Sequence, residues 1–434
     1  MTWRPWAMWG IAVFAYVAAV LQRTSFGIAG LVAAERFSAP ASVVATFVVV
    51  QILVYAGMQV PAGLLVDRFG TRAIVTTGAV IMALGQVNMA FAESVPSALV
   101  ARFLVGAGDA MTFTSVLKLV PAWFPDKRIP LMTQLTGLTG QLGQLASSIP
   151  LAAILASQGW TVTFLVAASM SVLGAILVAT FVRDRPPGVP APPPHVEKLK
   201  VWGQVRQVWA HPGTQLGFWT HFTSGFSGLV FAMMWGFPYL TRAQGMSPGL
   251  ASGYFTIFVV GSLVAGPFFG VFTQRHPLRR SNLALFVIGL QILGWVAVLL
   301  FSTPAPRLAL AFLMICLAVG GPGSSIGFDF ARTANPQRRM GTATGLVIMG
   351  AFTAAFTCIL AVGLVLDLVG RGSYSYSSFR VAMAIQLLWF ALGITMMFIT
   401  RTRLRARMRD EGVVVPPWSI ALRRTFRGRP GSDG

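Results

Sequence analysis

The sequence predicts an all-α membrane protein, with twelve transmembrane helices arranged as two pseudo-symmetric six-helix bundles. Three observations carry that prediction. The 434 residues are 55% hydrophobic and only 10% charged, against roughly a quarter charged in soluble domains. The apolar residues fall into runs long enough to cross a bilayer, which takes ~20 residues of helix. One glycine-marked, charged loop also occurs twice: Gly63, Asp67, Arg68 and Arg72 in the first half, and Gly270, Gln274, Arg275 and Arg279 in the second. In each copy a glycine is followed at +4 by Asp or Gln, at +5 by Arg and at +9 by Arg. The chain therefore reads as a duplication about its middle.

Taken in order, the predicted spans are 8–33, 42–66, 73–92, 97–120, 129–156 and 160–182, then 214–241, 249–272, 281–302, 307–331, 341–368 and 377–400. The first run has no obvious cleavage site and is too long for a signal peptide, so it is a retained span. Residues 1–182 form the N-terminal bundle and 214–400 the C-terminal one. Between them, 183–213 is a proline-rich linker with Pro186, Pro187, Pro190 and Pro192 to Pro194, extended apart from one amphipathic piece near 198–209. Residues 401–434 form a basic tail that holds Arg401, Arg403, Arg405, Arg407, Arg409, Arg423, Arg424, Arg427 and Arg429.

A net charge of +21 is compatible with nucleic-acid binding, but the placement of the charges argues against it. Arg68, Arg72, Lys127, Arg128, Arg183, Arg185, Arg275, Arg279, Arg280, Arg338 and Arg339 all fall in loops on one side. The opposite loops hold little beyond Arg36, Glu93, Arg242, Arg371 and Arg380. The positive-inside bias puts both termini in the cytoplasm of a multi-pass protein of the cell (inner or plasma) membrane, with the tail against anionic lipid. Cys316 and Cys358 lie inside apolar runs, which leaves no disulfide framework and no metal site. No phosphate-cradling glycine loop and no hydrolytic triad is present, so neither a cofactor nor an enzyme is expected. An ion gradient is the expected energy source, and a monomer the expected state.

At these residues the chain resembles the major facilitator superfamily. The loop from Gly63 to Arg72 is similar to that family's signature between its second and third helices. The run Arg102-Phe103-Leu104-Val105-Gly106-Ala107-Gly108 is similar to its fourth-helix arginine motif. A narrower likeness is to the anion:cation symporters and organophosphate:phosphate antiporters. Its carriers are the first-helix stretch Ala15 to Phe26, the Trp123-Phe124-Pro125 loop and the pair Gly140-Gln141. The resemblance implies that Arg23 helps bind an anionic substrate, that Asp109 is a proton site and that Gln141 contacts substrate. The second arginine that the organophosphate antiporters carry in helix seven is missing from 214–241, which argues against phosphate-ester exchange. Likewise, 42–66 and 249–272 hold none of the arginines that the nitrate/nitrite group carries there.

The residues support candidate roles in their own right. Arg23 sits about sixteen residues into the first span, at a depth where a charge costs several kcal/mol and is kept for function. Its planar fork suits a carboxylate or phosphate; the competing reading is a permanent ion pair with a neighbouring helix. Arg102 and Asp109 are seven apart on one helix face, about 10 Å along the axis. A carboxylate poised between desolvation and a nearby cation can load and release a proton; the competing reading is a locking pair. His221 is a rival proton carrier or an interfacial residue. Gln22, Tyr55, Gln134 and Gln141 are candidates to line the cavity, while Gly137, Gly140 and Gly143 suit close helix packing. Lys118 and Asp329 each precede a proline by seven residues, at matching places in the two halves. They are expected to pair as a gate, with Arg332 competing for Asp329. Gly63, Asp67, Arg68, Gly70 and Arg72 are expected to gate as well, with Asp67 capping the positive N-terminus of a neighbouring helix; the resemblance implies that this neighbour is helix eleven, which begins near Met340 to Thr342. Trp235 to Tyr239 reads as a gating break at Gly236 and Pro238 and as an aromatic anchor.

The expected function is secondary active transport of a small organic anion, a carboxylate or sugar acid, by proton symport through alternating access. The alternative is a proton-coupled exporter of drugs or metabolites. A non-transporting receptor on the same fold lacks any effector domain to support it.

Overall fold

The computed structural model describes residues 3–26, 29–39, 41–188, 201–370 and 375–413, which are helical with no strand among them. The N-terminal half comprises α1 (Arg4–Thr24), the short α2 (Gly30–Arg36), α3 (Ala41–Phe91), α4 (Val95–Trp123), α5 (Ile129–Ala146) and α6 (Ala152–Phe181). The linker holds α7 (Val201–Ala210). The C-terminal half comprises α8 (Pro212–Val230), the short α9 (Gly236–Pro238), α10 (Pro248–Arg275), α11 (Arg280–Leu299) and α12 (Arg307–Ala318). It continues with α13 (Gly320–Ser324), α14 (Ile326–Ala334), α15 (Met340–Gly370), α16 (Tyr376–Ala384) and α17 (Gln386–Asp410).

Nine described segments are long and apolar enough to cross a membrane. One of these holds two spans, because α3 breaks at Gly70, whose φ of +84° is open to glycine and strained for other residues. Two further runs are interrupted by π turns. The fifth span passes through Ser147–Leu151, where Pro150 supplies no N–H, and ends at Gly159 within α6. The seventh passes through Phe231–Trp235 and Tyr239–Ala243 on either side of Gly236 and Pro238. With the division at Gly70 and these two runs counted, the twelve spans are complete.

Boundaries differ in places. The first span, expected over 8–33, ends at Thr24. There the Thr24 and Ser25 hydroxyls turn back on the carbonyls of Val20 and Gln22 and compete with the backbone ladder. The last helix continues to Asp410, so Arg401 to Arg409 are helical, as their long unbranched stems favour. The expected amphipathic piece of the linker is α7; Pro190 and Pro192 to Pro194, Arg371 and the tail arginines from Arg423 onward lie outside the described residues.

Close crossings use glycine. A methyl carbon added at Gly78 would lie 2.6 Å from the Gly108 carbonyl, and one at Gly217 2.6 Å from that of Gly327. In lipid, where burial of apolar surface drives little, such backbone approach is what holds helices together. The two halves meet along α3 with α15 and along α5 with α10. At the first seam Gly63 packs on Gly341 and Thr342; at the second Gly270 packs on Leu131.

Candidate functional site

The N-terminal half holds an ion pair on the side that faces the C-terminal half. Arg23, near the end of α1, grips Asp109 of α4 with both arms: Nε to Oδ2 at 2.6 Å and Nη2 to Oδ1 at 2.9 Å. Asp109 is fully buried, whereas the Arg23 side chain is 29% exposed. The guanidinium lies 4.5 Å above the Tyr55 ring, which in turn packs 5.1 Å from Phe352 of the other half. The pair therefore sits where the halves meet.

Arg102 shares the α4 face with Asp109 but lies two turns away, too far along the axis for a direct ion pair. It is fully buried. Its Nη2 donates to Gln51 Oε1 and to the Arg23 carbonyl at 3.3 Å, and its head stacks 5.1 Å from Phe26. The structure thus gives Asp109 to Arg23, so the locking-pair geometry is present between α1 and α4.

Gln22 was expected in the cavity and is not there. It is fully buried, and its Nε2 donates to the Ala167 carbonyl at 2.5 Å and Ser171 Oγ at 2.7 Å, while its Oε1 accepts from Gln86 Nε2 at 2.7 Å. Successive helical residues point about 100° apart, so Gln22 ties α1 to α3 and α6 while Arg23 reaches α4. Gln134 is also withdrawn, since it donates across the seam to the Pro322 carbonyl at 2.7 Å. Gln141 is partly exposed on α5. His221 belongs to the C-terminal half, with Nδ1 at 3.0 Å from the Ser324 carbonyl and its ring 5.0 Å from Phe328. The structure does not bring it to Asp109.

A second cluster closes the arginine-rich face. Asp67 accepts hydrogen bonds from the N–H groups of Gly341 and Thr342, each at 2.8 Å, and from Thr342 Oγ1 at 2.6 Å. It thereby caps the positive end of α15 from the opposite half. Lys118 Nζ adds a fourth contact at 2.8 Å. Gln204 of α7 reaches the same place, 2.9 Å from Thr342 Oγ1 and 3.4 Å from Asp67 Oδ2. Asp184 caps the helix after Gly70 through the N–H groups of Thr71 at 2.6 Å and Arg72 at 3.0 Å, while Arg72 donates to the Ala179 carbonyl. Arg68 stacks on Phe69 at 5.1 Å.

The expected pairing of Lys118 with Asp329 does not form. Lys118 is taken by Asp67 within its own half. Asp329 is neutralised by Arg332 one turn away, at 3.5 Å, and Arg332 also reaches Asp126 across the seam at 3.1 Å. Arg280 donates to the Asp329 carbonyl at 3.0 Å and to Thr333 Oγ1 at 2.5 Å. Gln51, Gln86, Asp126, Asp184 and Gln204 carry no individual mark in the sequence, and Arg280 is marked there only as a loop charge. For Gln51 and Gln86 the available signal is an amide inside an apolar run, which is costly without a partner.

Chemically, the centre offers a partly exposed cation whose present counter-ion is an internal carboxylate, and the clasp offers a way to open and close one face. The chain is 22% identical over 387 residues to a "probable sulfoacetate transporter" of Cupriavidus necator, covering 83% of this chain and 87% of that one. It is 28% identical over 277 residues to the oxalate:formate antiporter of Oxalobacter formigenes, covering 61% and 62%. Its fold matches a crystal structure of a bacterial homologue of the iron transporter ferroportin, with a TM-score of 0.72 and 12% identity over 91% of this chain and 99% of that one. The model of the Major Facilitator Superfamily matches residues 12–347, and the chain belongs to that family of membrane transporters.

Proposed function

We propose that the protein is a secondary active transporter of a small organic anion, a carboxylate or sugar acid, working by proton symport. Its two halves rock about the central site, and its arginine-rich face and both termini lie in the cytoplasm. The observation that carries the reading is the bidentate Arg23–Asp109 pair, with Arg23 partly exposed and Asp109 fully buried. A substrate carboxylate has the same charge and fork geometry as Asp109 and competes for the same two N–H groups. Asp109, displaced in a dry site, then takes up a proton, because an unpaired buried carboxylate is far costlier than its acid. Substrate and proton thus enter together and leave together. The relatives named for sulfoacetate and for oxalate and formate agree with an acidic substrate.

Proteoliposome uptake of carboxylates, sugar acids and phosphate esters, with and without a pH gradient, tests this. An acidic exterior is expected to accelerate uptake of at least one organic acid. Indifference to the gradient would reject proton coupling. Full activity of Arg23→Ala toward a neutral or cationic compound would instead favour the exporter.

A further inference from the structure

Two guanidinium groups and one carboxylate lie in the interior of the N-terminal half, and only one of the guanidiniums is matched. Arg102 is fully buried, and its Nε and Nη1 have no acceptor among the described residues. The carboxylate acting on it, Asp109, is held by both arms of Arg23. A buried cation with two unused N–H groups is costly, and a fold retains one where another partner arrives at some stage of its work. Arg102 is wired to the substrate anchor. Its Nη2 shares the Arg23 carbonyl with Gln51, whose Nε2 lies 3.4 Å from that oxygen while its Oε1 accepts from Arg102.

We propose that Arg102 is a second anion anchor and that the transported molecule is a dianion carrying two acidic groups, such as a dicarboxylate or a carboxylate with a sulfonate. This rests on Arg23 being the substrate anchor. One acid group replaces Asp109 on Arg23, and the other engages the unused N–H groups of Arg102 as Gln51 yields. Charge balance selects the class. With Asp109 protonated the site carries two positive charges. A dianion brings it to neutrality before the halves close over it, whereas a monoanion leaves one charge buried and unpaired.

The test is a thermal-shift titration of the purified wild-type protein with matched pairs: succinate and butyrate, malonate and propionate, sulfoacetate and acetate. At least one dianion is expected to stabilise the protein at a concentration tenfold or more below that needed by its monoanionic counterpart. Equal stabilisation within every pair would overturn the dianion proposal and leave the anion reading standing. Stabilisation by none of them would overturn both. In proteoliposomes, Arg102→Gln is expected to reduce uptake of the responding dianion at least tenfold more than uptake of its monoanion. Arg102→Lys, which keeps the charge, is expected to retain the dianion preference. A purely structural Arg102 would depress both classes alike, and if Arg102→Gln does not fold the wild-type titration still decides.

Discussion

Arg23 shows both the reach and the limit of reading residues one at a time. Its depth in the first span marked it as costly and therefore useful, and Asp109 was marked on the same ground. Their pairing spans 86 residues, and helix neighbourhood, not local pattern, decides it. Gln22 failed for the related reason that one residue of rotation changes which helix a side chain meets. The pair yields a test that separates stability from function. Arg23→Ala leaves a buried carboxylate unmatched, a loss of about 3–5 kcal/mol for a broken buried pair, and a large fall in melting temperature is expected. Adding Asp109→Asn removes the stranded charge, so the double variant should regain most of the stability while still failing to transport. If transport returns together with stability, Arg23 is structural and the substrate binds elsewhere. Asp109→Asn alone should exchange substrate across the membrane by counterflow yet gain nothing from an imposed pH gradient.

At the scale of elements, the loop from Gly63 to Arg72 was legible because its work is backbone work. Gly70 reverses the chain at positive φ, and Gly63 lets two helices touch: a methyl carbon there would lie 2.4 Å from the Gly341 carbonyl. Sequence also marked the amphipathic α7, but not that its Gln204 reaches the clasp, since docking depends on where the linker folds back. Gly63→Val should prevent α3 and α15 from closing and leave the arginine-rich face open. A cysteine at Met340, which is 4% exposed in the closed arrangement, should then react at least tenfold faster with a membrane-impermeant maleimide in inside-out vesicles. Unchanged labelling would mean that the seam tolerates the bulk and that Gly63 does not control closure.

Over the whole molecule a strict duplication would give two equivalent clasps, but Gln274 replaces Asp67 in the second copy and implies an asymmetric latch, and one clasp is present among the described residues. The seams correspond residue by residue: Gly63 lies on Thr342, the third residue of α15, and Gly270 lies on Leu131, the third residue of α5. The second seam lacks parts of the first, beginning with the Thr342 hydroxyl, in whose place Leu131 has none. Gln274 stands where Asp67 supplies the carboxylate. Pro130 stands where Gly341 donates its N–H, and proline has none to give. The Arg332–Asp126 ion pair between the halves cannot compensate, because Asp126 is 89% exposed and exposed pairs contribute only about 0–1 kcal/mol. Asp67 is almost buried, accepts two backbone N–H groups and a hydroxyl, and is worth more, at ~1.5–3 kcal/mol for each charged hydrogen bond. Asp67→Asn should therefore shift the protein toward the open arginine-rich face, while Asp126→Asn should leave Met340→Cys labelling within about twofold of the parent. A carboxylate alone should not build the missing clasp. Gln274→Asp in the Asp67→Asn background should restore closure weakly, and Gln274→Asp with Pro130→Ala should restore it further, because that pair returns the acceptor and the backbone donor at position 130. If Gln274→Asp alone closes the face as well as native Asp67 does, the donor at position 130 does not matter and the account of the asymmetry fails.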